Sequence, residues 1–350
     1  MINSFRTYLK HVLNLIYNIM IKNFLKSHPI HKKIVPFFDV IMLPRLTLFF
    51  GVWVMICIGM YIGSLVNGAT EMNITSFDLP TLILFIGISL VCSSIFIINQ
   101  VDDLEVDKAN NKASTINQYV TKERASLISN IIGVLGFLLI ICIDFIVIFP
   151  LFLIYILWGR LYVDQKLNLK SRPWMGLFFY VSLGYLLILS GVIYNRYDSG
   201  AIDMIIESIY YAIPFILAYS SIALMIDISN KDGDESVGRQ TFTVSFGVNT
   251  ASILAFFLCL LSFFMGLYFS EPLSSISSLS ALPFFIFQIF RGKEKDILRS
   301  IRYPIFLLNF YVLTIYPLLF FPIIISYYLA KYYYWHRFKI HYPTLLVEND

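Results

Sequence analysis

Long apolar runs separated by short polar loops set the pattern of this chain. Nine runs reach or approach the roughly 18 residues that a helix needs to cross a bilayer. They cover about residues 46–66, 79–100, 122–142, 145–163, 174–195, 207–228, 250–270, 274–290 and 303–330. The ninth run contains Pro317 and Pro322, so we expect a kink there. The pattern predicts an all-α, polytopic membrane protein with about nine transmembrane helices bundled around a central cavity.

Composition supports a membrane location. The chain has 350 residues, of which 58% are hydrophobic and only 14% are charged. A soluble domain of this length has no interior large enough for so much apolar surface. We therefore expect an integral, multi-pass membrane protein.

Basic residues predict the orientation. Of 26 Lys and Arg, seven precede the first run and fifteen belong to the loops after the second, fourth, sixth and eighth runs. Arg196 is the one basic residue in the loops on the opposite side, and three more follow the last run. By the positive-inside rule, the amino terminus, the even-numbered loops and the mouth of the cavity face the cytoplasm. The positive charge of these inside loops suits an anionic lipid surface and anionic substrates, and it does not indicate nucleic-acid binding.

Three regions are expected along the chain. Residues 1–40 are basic and are expected to form an amphipathic segment on the cytoplasmic surface. Residues 41–330 would form the membrane domain, and residues 331–350 a short aromatic and basic tail at the interface. The sequence points to no second soluble domain and to no obligate protein partner.

An acidic cluster follows the second run. Asn99, Asp103 and Asp107 are spaced four residues apart, so they lie on one stripe if the helix continues through them. Asp102 and Glu105 point elsewhere on such a helix and are expected to be solvated. Carboxylates are costly near a bilayer and usually have a function there.

A second acidic cluster follows the sixth run, on the same predicted side. Asp227, Lys231 and Asp234 share one helix face, with Asn230 close to it. Each cluster offers hard oxygen ligands of the kind that Mg²⁺ takes, together with waters and substrate phosphates. Two such clusters facing each other could hold Mg²⁺ on a diphosphate and stabilise its departure.

Basic residues accompany both clusters. Tyr162, Lys166 and Lys170 repeat every four residues after the fourth run, and Arg239 lies beside the second cluster. These side chains could project positive charge toward a shared anion. Basic residues in inside loops are also expected from topology alone, so both interpretations stay open.

Two other kinds of membrane protein are less consistent with this pattern. An ion-coupled transporter predicts internal repeats and acids near the bilayer midplane. The acids here lie at the ends of apolar runs, and Asp144 is expected to mark a turn on the outside. A purely structural membrane protein gives no reason for two clusters with ligand spacing.

These motifs resemble those of the UbiA superfamily of intramembrane prenyltransferases, over roughly residues 40–330. That family's first motif, N-D-x-x-D-x-x-x-D, matches at Asn99, Asp103 and Asp107, with Gln100 in place of the first Asp. Its second, D-x-x-D-x-x-G-D-x-x-x-G-x-x-T, matches at Asp227, Gly233, Asp234, Gly238 and Thr241, with Asn230 where Asp is usual. Its Y-x-x-x-K loop matches at Tyr162 and Lys166, and its Arg-Pro before the first span appears as Leu43-Pro44-Arg45.

The resemblance implies Mg²⁺-dependent transfer of a prenyl group from an isoprenoid diphosphate to an aromatic or lipid-precursor acceptor. The catalytic metal ligands it implies are Asp103, Asp107, Asp227 and Asp234. The substrate-binding residues it implies are Asn99, Tyr162, Lys166, Lys170, Asn230 and Arg239. A UbiA-like terpene cyclase, which acts on a prenyl diphosphate without an acceptor, would use the same motifs and stays an alternative.

Overall fold

Helices form all the regular structure that is described. The computed structural model describes residues 28–67, 78–110, 112–117, 119–195 and 201–343, and only the backbone of 201–203. The α-helices in these ranges are α1 Ile30–Ile41, α2 Phe49–Val66, α3 Leu79–Asp102, α4 Leu104–Ala109, α5 Lys122–Ile143, α6 Ile148–Ile156, α7 Pro173–Tyr194, α8 Ala201–Ser236, α9 Phe242–Phe246, α10 Val248–Tyr268, α11 Pro272–Arg291, α12 Glu294–Ile315 and α13 Phe320–Phe338.

Seven helical segments in the described ranges are long and apolar enough to cross a membrane. They are Leu46–Val66, Leu79–Asp102, Lys122–Ile143, Pro173–Tyr194, Met204–Ser236, Val248–Tyr268 and Pro272–Arg291. The predicted fourth run forms a shorter apolar helix, Ile148–Leu161, whose last turn is a π turn. Asp144 ends α5 and accepts a hydrogen bond from the Ile146 amide at 2.9 Å, so it marks a turn as expected. The all-α, polytopic architecture is confirmed.

The ninth apolar run is divided between two helices. Helix α12 ends at Ile315, and Pro317–Leu319 forms a short 3₁₀ turn before α13 begins. Pro317 has no amide hydrogen to donate, and Tyr316 before it leaves the helical region at φ −119° and ψ 69°. The expected kink is thus a complete break, and α13 continues to Phe338, past the expected start of the tail at residue 331.

Helices α2 and α7 cross closely because each has a glycine at the crossing. A Cβ added to Gly59 would overlap the carbonyl oxygen of Ile188, and one added to Gly191 would overlap that of Ile56. Helices α3 and α5 also pack side by side, with Gly87 facing α5. Small residues of this kind let helix backbones approach each other in membranes.

We expect Gly59→Ala to destabilise the fold. The added methyl must push α2 away from the backbone of α7, and overpacking of this kind costs about 1–3 kcal/mol. Gly51→Ala, in the same helix, is the matched control because its Cβ would meet no atom within 4 Å. Thermal unfolding of the two variants in detergent measures the difference. An equal midpoint for both variants would contradict this packing.

Helix α1 packs against α13. Buried apolar side chains of both helices form this contact, among them Val35, Ala330 and Tyr333. Asp39 is fully buried and accepts hydrogen bonds from Tyr333 Oη at 2.6 Å, from Arg337 at 3.1 Å and from Asn117 Nδ2 at 3.0 Å. The end of the predicted amphipathic segment is therefore fixed to the last helix. Residues 1–27 and 344–350 lie outside the described residues, so the expectations for them stay predictions.

Candidate active site

Both acidic clusters line one cavity. The cavity has a volume of about 100 Å³ and is bounded by α3, α4, α7, α8 and the turns after α6 and α8. The residues of the two clusters that line it are Asn99, Asp103, Asp107, Asp227, Asn230 and Asp234. Tyr162, Lys170 and Arg239 line it as well. The structure thus brings together all the predicted site residues except Lys166.

The first cluster lies along one stripe, as its spacing predicts. The Asp103 amide donates to the Asn99 carbonyl oxygen at 2.8 Å, and the Asp107 amide donates to the Asp103 carbonyl oxygen at 2.8 Å. The helical hydrogen bonds therefore continue from α3 into α4. Asn99 Nδ2 also donates to Asp103 Oδ2 at 2.8 Å, which fixes the orientation of both side chains.

Two basic side chains converge on Asp103. Its Oδ1 atom lies 2.8 Å from Lys170 Nζ and 2.8 Å from a guanidinium nitrogen of Arg239. Burial acts to raise the pKa of Asp103, but the charges of Lys170 and Arg239 outweigh it and lower the pKa below its usual value. Arg239 also lies 3.7 Å from Asp234 Oδ1. One guanidinium thus connects the two acidic clusters.

Asp102 is not solvated, so that expectation is wrong. Its Oδ2 atom lies 2.7 Å from Lys170 Nζ and 3.8 Å from Arg239, and its side chain is only 14% exposed. The turn that carries Lys170 packs over the end of α3, so the same ammonium reaches Asp102 and Asp103 at once. Glu105 is exposed, as expected.

Lys166 and Lys170 do not share a helix face. Asp164 Oδ1 accepts hydrogen bonds from the amides of Lys166 at 2.7 Å and Leu167 at 3.2 Å, and Asn168 adopts a left-handed conformation at φ 46°. The chain is a series of turns here, so a spacing of four residues does not place the two lysines together. Lys166 is exposed and Lys170 is buried. Lys170 therefore lines the cavity, whereas Lys166 does not.

The second cluster lies along the last turns of α8. Asp227, Asn230 and Asp234 line the cavity, whereas Lys231 is directed toward Glu235 at 3.9 Å. Asp227 Oδ2 accepts a hydrogen bond from the Thr243 amide at 2.8 Å, which holds the start of α9 against α8.

Arg45 and Lys112 both contact Asp107, and the spacing of motifs did not reveal either contact. Arg45 contacts Asp107 Oδ2 at 2.5 Å, and Lys112 Nζ lies 3.5 Å from Asp107 Oδ1. Lys112 also donates to Asn230 Oδ1 at 2.6 Å, so it spans the two clusters. The sequence held one signal, the Leu43-Pro44-Arg45 stretch, which resembles the Arg-Pro of the family.

The loop after α4 docks on α8 through Asn110. The Gly233 amide donates to Asn110 Oδ1 at 3.0 Å, and a Cβ added to Gly233 would overlap the Asn110 side-chain amide. Asn110 Nδ2 lies 3.5 Å from the carbonyl oxygen of Asn230. The glycine of the second motif thus makes room for a contact between the two halves of the site.

Two buried oxygen atoms at the cavity have no hydrogen-bond partner. They are Asn99 Oδ1 and Thr241 Oγ1. Among the described residues, no three His, Cys or acidic side chains are close enough to hold a metal by themselves. Mg²⁺ commonly takes one or two carboxylates and completes its shell with waters and substrate phosphates, so this donor set fits Mg²⁺.

Apolar and aromatic side chains line another part of the cavity. Trp158, Leu177, Tyr180 and Leu224 line it beside the charged residues. The Tyr162 ring lies under Lys170 Nζ, 5.3 Å from the ring centroid. A ligand with a charged head and an apolar tail therefore matches the two kinds of lining.

The fold is shared with known structures. No curated protein sequence matches the chain at a significant level. A structure of a UbiA homologue from Archaeoglobus fulgidus bound to GPP and Mg²⁺ aligns with a TM-score of 0.59 at 13% identity, over 79% of this chain and 99% of that chain. A structure from work on the biosynthesis of digeranylgeranylglyceryl phosphate synthase in membranes aligns with a TM-score of 0.51 at 17% identity, over 77% of this chain and 97% of that chain.

Sequence comparison extends this likeness from fold to family. The profile of the UbiA prenyltransferase family matches residues 64–310. That range contains both acidic clusters, the turn that carries Lys170, and Arg239. This chain belongs to the UbiA prenyltransferase family.

Proposed function

We propose that this protein transfers a prenyl group from an isoprenoid diphosphate to an acceptor within the membrane, in a reaction that depends on Mg²⁺. The observation that carries the proposal is the pair of acidic clusters facing one cavity, with Lys170 and Arg239 on Asp103. The similar structure bound to GPP and Mg²⁺ supports the same assignment. The diphosphate head lies between the clusters, and the tail extends along the apolar lining.

The polar residues divide into two groups in this proposal. Asn99 and Asp103 would hold Mg²⁺, with Asp227 or Asp234 as the second carboxylate, and the unpartnered oxygen of Asn99 is the atom that most directly supports this assignment. When bound, Mg²⁺ offsets the negative charge that builds on the departing diphosphate. Lys170 and Arg239 provide fixed positive charges beside the same phosphate oxygens, and they need little reorganisation because the acids already orient them.

The reacting carbon lies beside aromatic rings in this arrangement. The bond between the first prenyl carbon and the diphosphate oxygen breaks with its electron pair on the oxygen, and the acceptor then forms a bond to that carbon and loses a proton. Tyr162 and Tyr180 both line the cavity. Their ring faces can stabilise an allylic cation by about 0.5–2 kcal/mol each. Tyr162 also orients the diphosphate or the acceptor.

The cavity opens toward the cytoplasm in the proposed orientation. The loops that carry Lys170 and Arg239 belong to the basic, even-numbered set, which the positive-inside rule assigns to the cytoplasm. Lys166 is exposed in one of these loops. Labelling of the Lys166→Cys variant with a membrane-impermeant thiol reagent tests the orientation.

Removal of divalent metal should stop the reaction. We expect the protein in liposomes, with a radiolabelled prenyl diphosphate and a total lipid extract as acceptor, to form a product that partitions into organic solvent. A chelator should abolish this product, and added Mg²⁺ should restore it, because the acids alone do not stabilise the leaving diphosphate. Product formation that persists in the chelator would contradict the proposal.

Omission of the acceptor distinguishes transfer from cyclisation. A transferase should form no prenylated product without the lipid extract. A cyclic hydrocarbon or alcohol formed from the diphosphate alone would instead identify a terpene cyclase that uses the same residues. Mass spectrometry of the organic phase separates the two results.

A further inference from the structure

Lys112 joins the two acidic clusters. Its Nζ atom donates to Asn230 Oδ1 at 2.6 Å and lies 3.5 Å from Asp107 Oδ1. The other carboxylate oxygen of Asp107 is held by Arg45 at 2.5 Å, and the Asp107 side chain is only 7% exposed. Both carboxylate oxygens of Asp107 and the amide oxygen of Asn230 therefore already contact basic side chains.

The loop that carries Lys112 is anchored to α8. Asn110, two residues earlier, accepts a hydrogen bond from the Gly233 amide at 3.0 Å and fills the space where Gly233 has no Cβ. This anchor places the ammonium group beside Asn230 on the same helix. The position of Lys112 is therefore determined by contacts to both halves of the site.

The chemistry of Asn230 matches a lysine better than a divalent ion. Its amide oxygen is neutral, so it gives an ammonium group a good acceptor but does little to balance a charge of two. Unlike Mg²⁺, an ammonium group does not require octahedral coordination, and its binding does not require the loss of tightly held metal-bound waters. On the opposite side of the cavity, Asp103 is also paired with basic side chains, but Asn99 Oδ1 beside it is buried and has no hydrogen-bond partner.

We propose that Lys112 supplies one of the cations that the bound diphosphate requires, and that this protein therefore binds its diphosphate with a single Mg²⁺. The proposal rests on the proposed function, since it concerns the same site. It also assigns Asp107 to Arg45 and Lys112, and not to the metal as the motif resemblance implies.

Equilibrium dialysis measures the metal count directly. The full chain in detergent is dialysed against Mn²⁺ and labelled inorganic pyrophosphate, and the excess of each on the protein side is compared with a protein-free cell. We expect one Mn²⁺ per bound pyrophosphate. We expect Lys112→Met to bind pyrophosphate about tenfold more weakly, the scale of one lost charge-assisted contact.

Two further variants separate the lysine from the asparagine. Asn230→Asp alone should still bind one Mn²⁺, because Lys112 still occupies that side. Asn230→Asp combined with Lys112→Met should bind two, because a carboxylate is added and the ammonium is removed. Lys108→Gln is the control, since Lys108 is exposed on the same segment and contacts Glu105 instead of the cavity; it should behave as the unaltered chain.

The possible results separate a failure of the single-metal proposal from a failure of the proposed function. Two Mn²⁺ ions per pyrophosphate on the unaltered chain would overturn the single-metal proposal while leaving the proposed function intact, and this measurement needs no variant to fold. If the variant that combines Asn230→Asp with Lys112→Met is monodisperse and still binds only one Mn²⁺, Lys112 is not what excludes the second ion, and the proposal is wrong. Retention of neither Mn²⁺ nor pyrophosphate by the unaltered chain would reject the proposed function itself.

Discussion

Asp103→Asn should reduce prenyl transfer by roughly a thousandfold or more. Asp103 accepts from Lys170 and Arg239 and holds Asn99, so it connects the proposed metal ligand set to the basic side chains that face the diphosphate. Asparagine keeps the shape of the side chain but removes its charge. Loss of a single preorganised group of this kind costs about 10²–10³ in turnover, and loss of a metal ligand adds to that. Initial rates with a labelled prenyl diphosphate in liposomes measure the effect.

The same experiment needs a control for charge and a control for folding. Glu105→Gln removes an acid of the same cluster that is exposed and contacts Lys108, so it should retain near-normal activity. Asp102 still faces Lys170 and Arg239 in Asp103→Asn, so the variant should remain folded, with an unfolding midpoint close to that of Glu105→Gln. Comparable activity in both variants would reject Asp103 as a catalytic residue.

The stripe of the first cluster could be predicted because it is a local property. A spacing of four residues places side chains on one face wherever the helix continues, and the hydrogen bonds from Asn99 through Asp107 show that it does. The apolar runs are equally local, and most of them became helices at the expected positions. The ninth run was divided at Pro317, a position that the sequence marked as a kink but not as a complete break.

The counter-ions of the site could not be predicted in the same way. Asp107 meets Arg45 from a segment 62 residues earlier, and Asp102 meets Lys170 from one 68 residues later. Such contacts depend on how loops cross the ends of helices, and no periodicity encodes that. Asp102 was expected to be solvated for this reason, since the turn that covers it was not visible in the sequence.

Periodicity also failed where no helix exists. The spacing of Tyr162, Lys166 and Lys170 suggests one face, yet Asp164 and the left-handed Asn168 turn the chain between them. Aspartate and asparagine favour such turns because their side chains bond to nearby amides. The Asp164–Asn168 segment held this signal, and it argues against helical spacing in this loop.

Lys170→Met should therefore reduce activity far more than Lys166→Met. Lys170 is buried and lies within 2.8 Å of both Asp102 and Asp103, so its charge is fixed at the cavity. We expect its removal to cost about a hundredfold in kcat/KM, the scale of one lost electrostatic contact to a leaving group. Lys166 is exposed, and its replacement should change kcat/KM less than about twofold, as is usual for a solvated surface charge.

The comparison between the two lysines has a built-in control, because both substitutions remove one positive charge from the same loop. A general effect of loop charge on diphosphate recruitment would lower both rates equally and would weaken with added salt. A fixed contact at Lys170 predicts instead a loss that persists in high salt and is confined to one variant. A larger loss in Lys166→Met would mean that the loop rearranges when the diphosphate binds, so that the lysine of the Y-x-x-x-K pattern replaces Lys170 at the phosphate oxygens.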